Sequence, residues 1–84
     1  HSLEEELPVS ELDIHPDIIS TLQELGMLEV VSGCIDIRNV RRLYKIMRLK
    51  NFLSVNLQGA AIIVDLLERI EQLEDELESL KGKR

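Results

Sequence analysis

Eighty-four residues, 44% hydrophobic and 31% charged, accommodate one small domain with at most one long accessory element, which excludes most enzymes built around a cleft between two lobes. The formal net charge of −6 is unevenly spread: residues 1–36 carry nine acids and no Lys or Arg, residues 37–50 carry six cations and no acid, and residues 65–80 carry seven acids against Arg69 alone. The acidic blocks disfavour duplex DNA, because phosphate neutralisation supplies most of a non-specific binder's affinity, and Tyr44 and Phe52, the two aromatics, are too few for a single-strand stacking platform.

The longest uncharged stretch, 51–64, is broken by Ser54, Asn56, Gln58 and Gly59, so no membrane span is expected. The acidic leading residues do not resemble a secretory signal. Cys34 is the single cysteine and has no partner for an internal disulfide, so a reducing, cytoplasmic setting is expected. His1 is given no role.

In chain order, residues 3–13 form an acidic lead in which Leu3, Leu7 and Leu12 fall on one apolar stripe. Pro8 removes a donor and clashes with the preceding turn, so a short helix or turn ends near Leu7 and another begins at Pro8. A better-marked helix spans about 16–25. Pro16 and Asp17 suit its first turn, Ile18, Ile19, Leu22 and Leu25 form its apolar face, and Gly26 stops it. Residues 28–31 and 34–37, joined by Ser32-Gly33, read as a short β-hairpin wing.

Asn39 is expected to cap the next helix, with Val40, Leu43, Tyr44 and Met47 on its apolar face and Arg41, Arg42, Lys45 and Arg48 opposite. It ends near Asn51. A linker at 52–56 separates this 1–51 domain from a last helix in 57–84, which runs from Leu57 to about Leu80 and is followed by a basic tail. Ile63, Ile70 and Leu77 recur every seven residues, as do Leu66, Leu73 and Leu80, in a coiled-coil pattern. Such a stripe is expected to be a homodimer seam. Parallel and antiparallel pairing stay open, since Arg69 facing Glu74 and Glu76 facing Lys81 in a parallel pair amount to only about 1 kcal/mol.

Several residues carry a resemblance to a known family. Asp13-Ile14-His15-Pro16 resembles the turn of the MerR-type winged helix-turn-helix, Leu25-Gly26-Met27-Leu28 its "LGLL" signal, and Asn39-Val40-Arg41-Arg42-Leu43 its "DLxRL". The segment from Leu53 through Asn56-Leu57-Gln58-Gly59-Ala60-Ala61, continued by Leu66-Leu67-Glu68-Arg69-Ile70-Glu71-Gln72-Leu73, is similar to the chaperone-modulator branch (CbpM type) and in part to the heat-shock repressor branch. The resemblance implies a mainly α fold with a small β-hairpin wing and a long carboxyl-terminal coiled-coil helix.

Departures from the MerR pattern bear on function. Where DNA-binding relatives place an Arg and two Tyr, Ser20, Thr21 and Leu22 stand here, and Gly33 occupies the place of the wing Arg. Neither base readout nor backbone positioning then has obvious donors. The corresponding face is acidic, through Asp17, Glu24, Glu29 and Asp36. Resemblance to the chaperone modulators implies that this face binds the J-domain of a DnaJ-like co-chaperone, whose basic second helix complements it, and that the binding regulates the co-chaperone by inhibiting it. The rival reading is a heat-shock-repressor-like transcriptional regulator with Arg38, Arg41, Arg42, Lys45 and Arg48 touching phosphates; a third is an adaptor that only assembles through its coiled coil.

His15-Pro16-Asp17 matches the J-domain tripeptide, yet the long basic helix that precedes it there is missing, and helix initiation accounts for it. Catalysis is not expected: neither His15 nor Cys34 has a nucleophile or base beside it in sequence, and there is no Gly-rich phosphate loop. No cofactor and no metal are expected, and Cys34 reads as an inert thiol.

Overall fold

The structure, a computed structural model, describes residues 5–82. Strand β1 (Glu6–Pro8) is followed by a single 3-10 turn (Val9–Glu11), helix α1 (Pro16–Glu24), strand β2 (Cys34–Asp36), helix α2 (Ile37–Leu53) and the long helix α3 (Leu57–Lys81). This is the expected mainly helical, winged plan with a long carboxyl-terminal helix.

Helix α1 starts as its sequence dictates. Pro16 occupies the first turn and His15 caps it, its Nδ1 accepting the Asp17 N–H at 3.0 Å. It stops in a Schellman arrangement, the Met27 N–H donating to the Leu22 carbonyl at 2.8 Å and the Gly26 N–H to the Gln23 carbonyl at 3.0 Å. That geometry needs a left-handed residue, which Gly26 supplies at φ +74°.

The lead and the wing differ from expectation. Leu7 lies in a strand, because residues 6–8 find an edge far along the chain: β1 pairs antiparallel with β2, Leu7 opposite Ile35 and Pro8 opposite Cys34. The helix expected from Pro8 amounts to one 3-10 turn, cut off by Leu12 in extended conformation, since so short a helix cannot repay its nucleation. Leu3 of the proposed stripe, like His1, lies outside the described residues. Ser32 and Gly33 do form a tight turn, at φ 54° and 74°, the signature of a type I′ hairpin turn. Only Val31 of the predicted first wing strand bridges to Cys34, however; the rest of that strand is replaced by β1.

Helix α2 begins earlier than expected. Asp36, not Asn39, is its cap, with Oδ1 accepting the Arg38 N–H, and Asn39 lies inside the first turn. The helix also continues through Phe52 and Leu53 to Ser54, a left-handed C-cap at φ 57°, so the linker shrinks to 54–56. Asn56 then caps α3, its side chain accepting the Gly59 N–H at 2.7 Å. Of the basic tail, Lys83 and Arg84 lie outside the described residues.

One core joins every layer: Ile19 and Leu22 of α1, Leu28, Ile35 of β2, Val40, Leu43 and Ile46 of α2, and Ala60, Ala61 and Val64 of α3. The small Ala60 and Ala61 let α3 approach its neighbours closely. Two apolar assignments shift: Tyr44 is exposed and Ile46, three residues beyond Leu43, is fully buried in its stead, while Leu25 is exposed past the end of α1. Beyond Val64, α3 leaves the core and projects into solvent.

Candidate interaction surfaces

The four acids assigned to a partner-binding face have different surroundings. Asp17 and Glu24 lie seven residues apart on α1 and, with Glu29 in the following loop, are exposed. Seven residues are close to two helical turns, so Asp17 and Glu24 share the solvent face of α1, opposite buried Ile19 and Leu22. Asp36 is engaged by its cap and by an ion pair with Arg38 at 3.5 Å. The Arg38 N–H beside it holds its carboxyl below the usual carboxylate range, with the Arg38 guanidinium adding to the effect. Asp36 is thus a structural acid more than a recognition one.

The five cations divide as well. Arg42 is a clamp: its Nη1 donates to the Met27 carbonyl, its Nε to Glu68 at 3.1 Å, and its Nη2 lies 2.9 Å from Glu68 and 3.4 Å from Asp65. It is half-buried and cannot serve as a phosphate contact without breaking these contacts. Arg41, Lys45 and Arg48, by contrast, make no ion pair among the described residues. With Arg38 before them and Phe52 after, they recur at spacings of three and four residues along one stripe of α2.

This stripe borders a groove between α2 and α3 that the sequence reading did not identify. Its mainly cationic part encloses about 440 Å³ beside Arg38, Arg41, Tyr44, Lys45 and Arg48, with the Arg42–Glu68 pair also in its lining. Its apolar part encloses about 600 Å³ beside Lys45, Arg48, Leu49, Phe52, Val64 and Leu67. Phe52 is 85% exposed, an unusual position for a large aromatic side chain. The signal lay in the continuation of the three-and-four spacing from Arg38 to Phe52, which the linker assignment hid.

The seam residues sit on α3 as its periodicity requires. Ile63 is half-buried beside the core, and Leu66, Ile70, Leu73, Leu77 and Leu80 are all exposed along the projecting part. Five large apolar side chains in one row form a contiguous patch of the kind that marks an interaction site.

His15 is used as a cap and Cys34 is a free, half-buried thiol in β2. Among the described residues no group of three or more His, Cys, Asp or Glu is placed to hold a metal ion, and no helix is long and apolar enough to cross a membrane.

Residues 8–82 match the family model described as MerR HTH family regulatory protein. The chain belongs to that family. Searches of curated proteins and of solved structures returned no significant match. A single 3-10 turn precedes α1. At the positions where the resemblance expects an Arg and two Tyr, α1 presents exposed Ser20 and half-buried Thr21 and turns Leu22 into the core, and it contains no Lys or Arg. Gly33, at the wing Arg position, is consumed by the tight turn.

Proposed function

We propose that this MerR-family regulator acts by binding a protein: it docks the J-domain of a DnaJ-like co-chaperone and restrains it. The observation that carries this reading is the charge of α1. Its solvent face holds Asp17 and Glu24, Glu29 follows, and no cation accompanies them, so the surface that would meet DNA repels phosphate and attracts a basic helix. The resemblance of residues 53–73 to the chaperone modulators supplies the partner class. The protein works in the cytoplasm as a non-catalytic homodimer held through α3.

A heat-shock-repressor-like transcriptional role is the second reading, favoured by Arg41, Lys45 and Arg48, which make no ion pair among the described residues. It would place phosphate on α2 instead of α1.

Calorimetric titration with an isolated J-domain of a DnaJ-like co-chaperone tests the proposal. Saturable binding near one J-domain per chain is expected, and Glu24→Lys with Glu29→Lys weakens it about tenfold or more without changing the helical content. Unchanged affinity in that double variant removes the acidic face from the reading. Absence of J-domain binding, with binding to chaperone-gene promoter DNA that falls steeply as salt rises, establishes the second reading instead.

A further inference from the structure

The groove between α2 and α3 has two ends of opposite character. Along α2 the cations Arg41, Lys45 and Arg48 come first, and the apolar Leu49 and Phe52 follow toward the turn into α3. The α3 wall divides the same way: Glu68 lines the cationic end, Val64 and Leu67 the apolar end. Lys45 and Arg48 border both ends. We propose that this groove binds a free single-chain amphiphile with a phosphate-type head, the head among Arg41, Lys45 and Arg48 and the chain over Leu49, Phe52 and Leu67.

Charge selects the head. Glu68 is the one acid in the lining among the described residues, and Arg42 holds it at 2.9 Å. Arg41, Lys45 and Arg48 make no ion pair among the described residues. The stretch 37–50 carries six cations and no acid, and charges further away than about 8–10 Å are largely screened at physiological salt. The local field is therefore positive although the whole chain carries −6. Three cations around a recess of about 440 Å³ suit a phosphate dianion better than a single carboxylate charge, and a guanidinium fork matches phosphate oxygens in pairs.

Apolar surface selects the tail. Phe52 and Leu67 are exposed beside a volume of about 600 Å³, within the roughly 300–1,000 Å³ of small-molecule sites. At 1.5 Å per residue, Lys45 and Phe52 lie about 10 Å apart along the helix axis, which leaves room for a chain of medium length. A hydrocarbon chain laid there takes the Phe52 ring out of water, a favourable transfer.

The division runs along the groove, not across it, and this distinguishes the occupant. An acidic amphipathic helix carries charge and apolar stripe side by side over its whole length, so it mismatches one end or the other. A nucleic-acid backbone satisfies the cations and leaves Phe52 and Leu67 bare. A bilayer surface is too broad to enter a cleft between two helices. A head-to-tail amphiphile matches both ends at once. The inference is independent of J-domain binding, which engages α1.

The chain contains no tryptophan, so Phe52→Trp puts a single fluorescent indole at the apolar end. Titration of that variant with dodecyl phosphate, below its micelle-forming concentration, is expected to give a saturable blue shift, and calorimetry of the unsubstituted chain a stoichiometry near one. Lys45→Glu with Arg48→Glu raises the dissociation constant about tenfold or more; should that pair unfold the chain, Arg41→Gln with Arg48→Gln reads the same loss. Dodecyltrimethylammonium, with the same chain and the opposite charge, leaves the spectrum unchanged at equal concentration. No response to dodecyl phosphate overturns the proposal, as does equal binding of the two amphiphiles or indifference to the charge substitutions. A shift in a Leu73→Trp chain in place of the Phe52→Trp chain overturns it by moving the amphiphile to the projecting row of α3. Binding to vesicles of anionic phospholipid without binding to monomeric dodecyl phosphate overturns it in favour of a membrane surface. An indole in the Phe52→Trp chain that becomes shielded as protein concentration rises, before any addition, overturns it in favour of a protein segment in the groove.

Discussion

Arg42 and Glu68 stand 26 residues apart in the chain and meet with 2.9 Å between Nη2 and Oε1, while the same guanidinium reaches back to the Met27 carbonyl. One side chain thereby ties the loop after α1, helix α2 and helix α3 together. It fixes the angle at which α3 leaves the core, and with it the position of the groove relative to α1.

Removing that tie has a definite cost. Arg42→Ala leaves the Met27 carbonyl and the Glu68 carboxylate without their donor and is expected to destabilise the fold by about 2–3 kcal/mol, a figure below that for a fully buried pair because solvent still reaches the site. Arg42→Lys recovers only part of this, since an ammonium lacks the planar fork that serves three acceptors at once. Urea denaturation of the two variants checks both statements.

Asp36 gives the fold a specific acid sensitivity. Its carboxyl is held below the usual range chiefly by the Arg38 N–H, so the folded form titrates at lower pH than the unfolded one. The resulting stabilisation is complete above the ordinary carboxylate value of about 4 and is lost as pH falls through the lowered folded value. Asp36→Asn keeps a capping side chain and removes this titration. Its stability profile against pH, measured by urea unfolding, is expected to converge with that of the parent at the acid end.

Two left-handed positions respond oppositely to substitution. Ser54 ends α2 at φ 57° and is not a glycine, so Ser54→Gly is expected to stabilise the protein by roughly 0.5–1 kcal/mol. Gly26 ends α1 at φ 74° with nothing within 4 Å of an added Cβ. Gly26→Ala thus meets no steric clash with neighbours and costs about 1 kcal/mol through the backbone alone. Thermal melting of the pair reads both signs.

The three helices were legible from sequence because their signals are local: Pro16 and Gly26 bracket α1, and apolar residues at three- and four-residue spacing mark α2 and α3. Strand β1 was not, because Glu6–Pro8 acquires its conformation from a partner remote in the chain. The cap of α2 was misplaced because Asp36 and Asn39 are both good caps and β-branched Ile35 and Ile37 read as continuing strand. For the surfaces, residue type identified the charged sets but not their engagement. Nothing local distinguishes Arg42 from Arg41, or Asp36 from Glu29; contacts from distant parts of the chain separate the clamp and the cap from their exposed neighbours.

The pairing of β1 with β2 has a consequence for how the molecule assembles. Helices α2 and α3 are joined by a three-residue connection and can dock as soon as both are formed, whereas β1 must close a loop spanning α1 and the wing turn before it gains any contact. Closure of that loop costs chain entropy that only the completed sheet repays. Strand β1 is accordingly expected to dock last on folding and to open first, and the half-buried thiol of Cys34, which lies opposite Pro8 in the strand pair, is expected to report that opening by its reactivity.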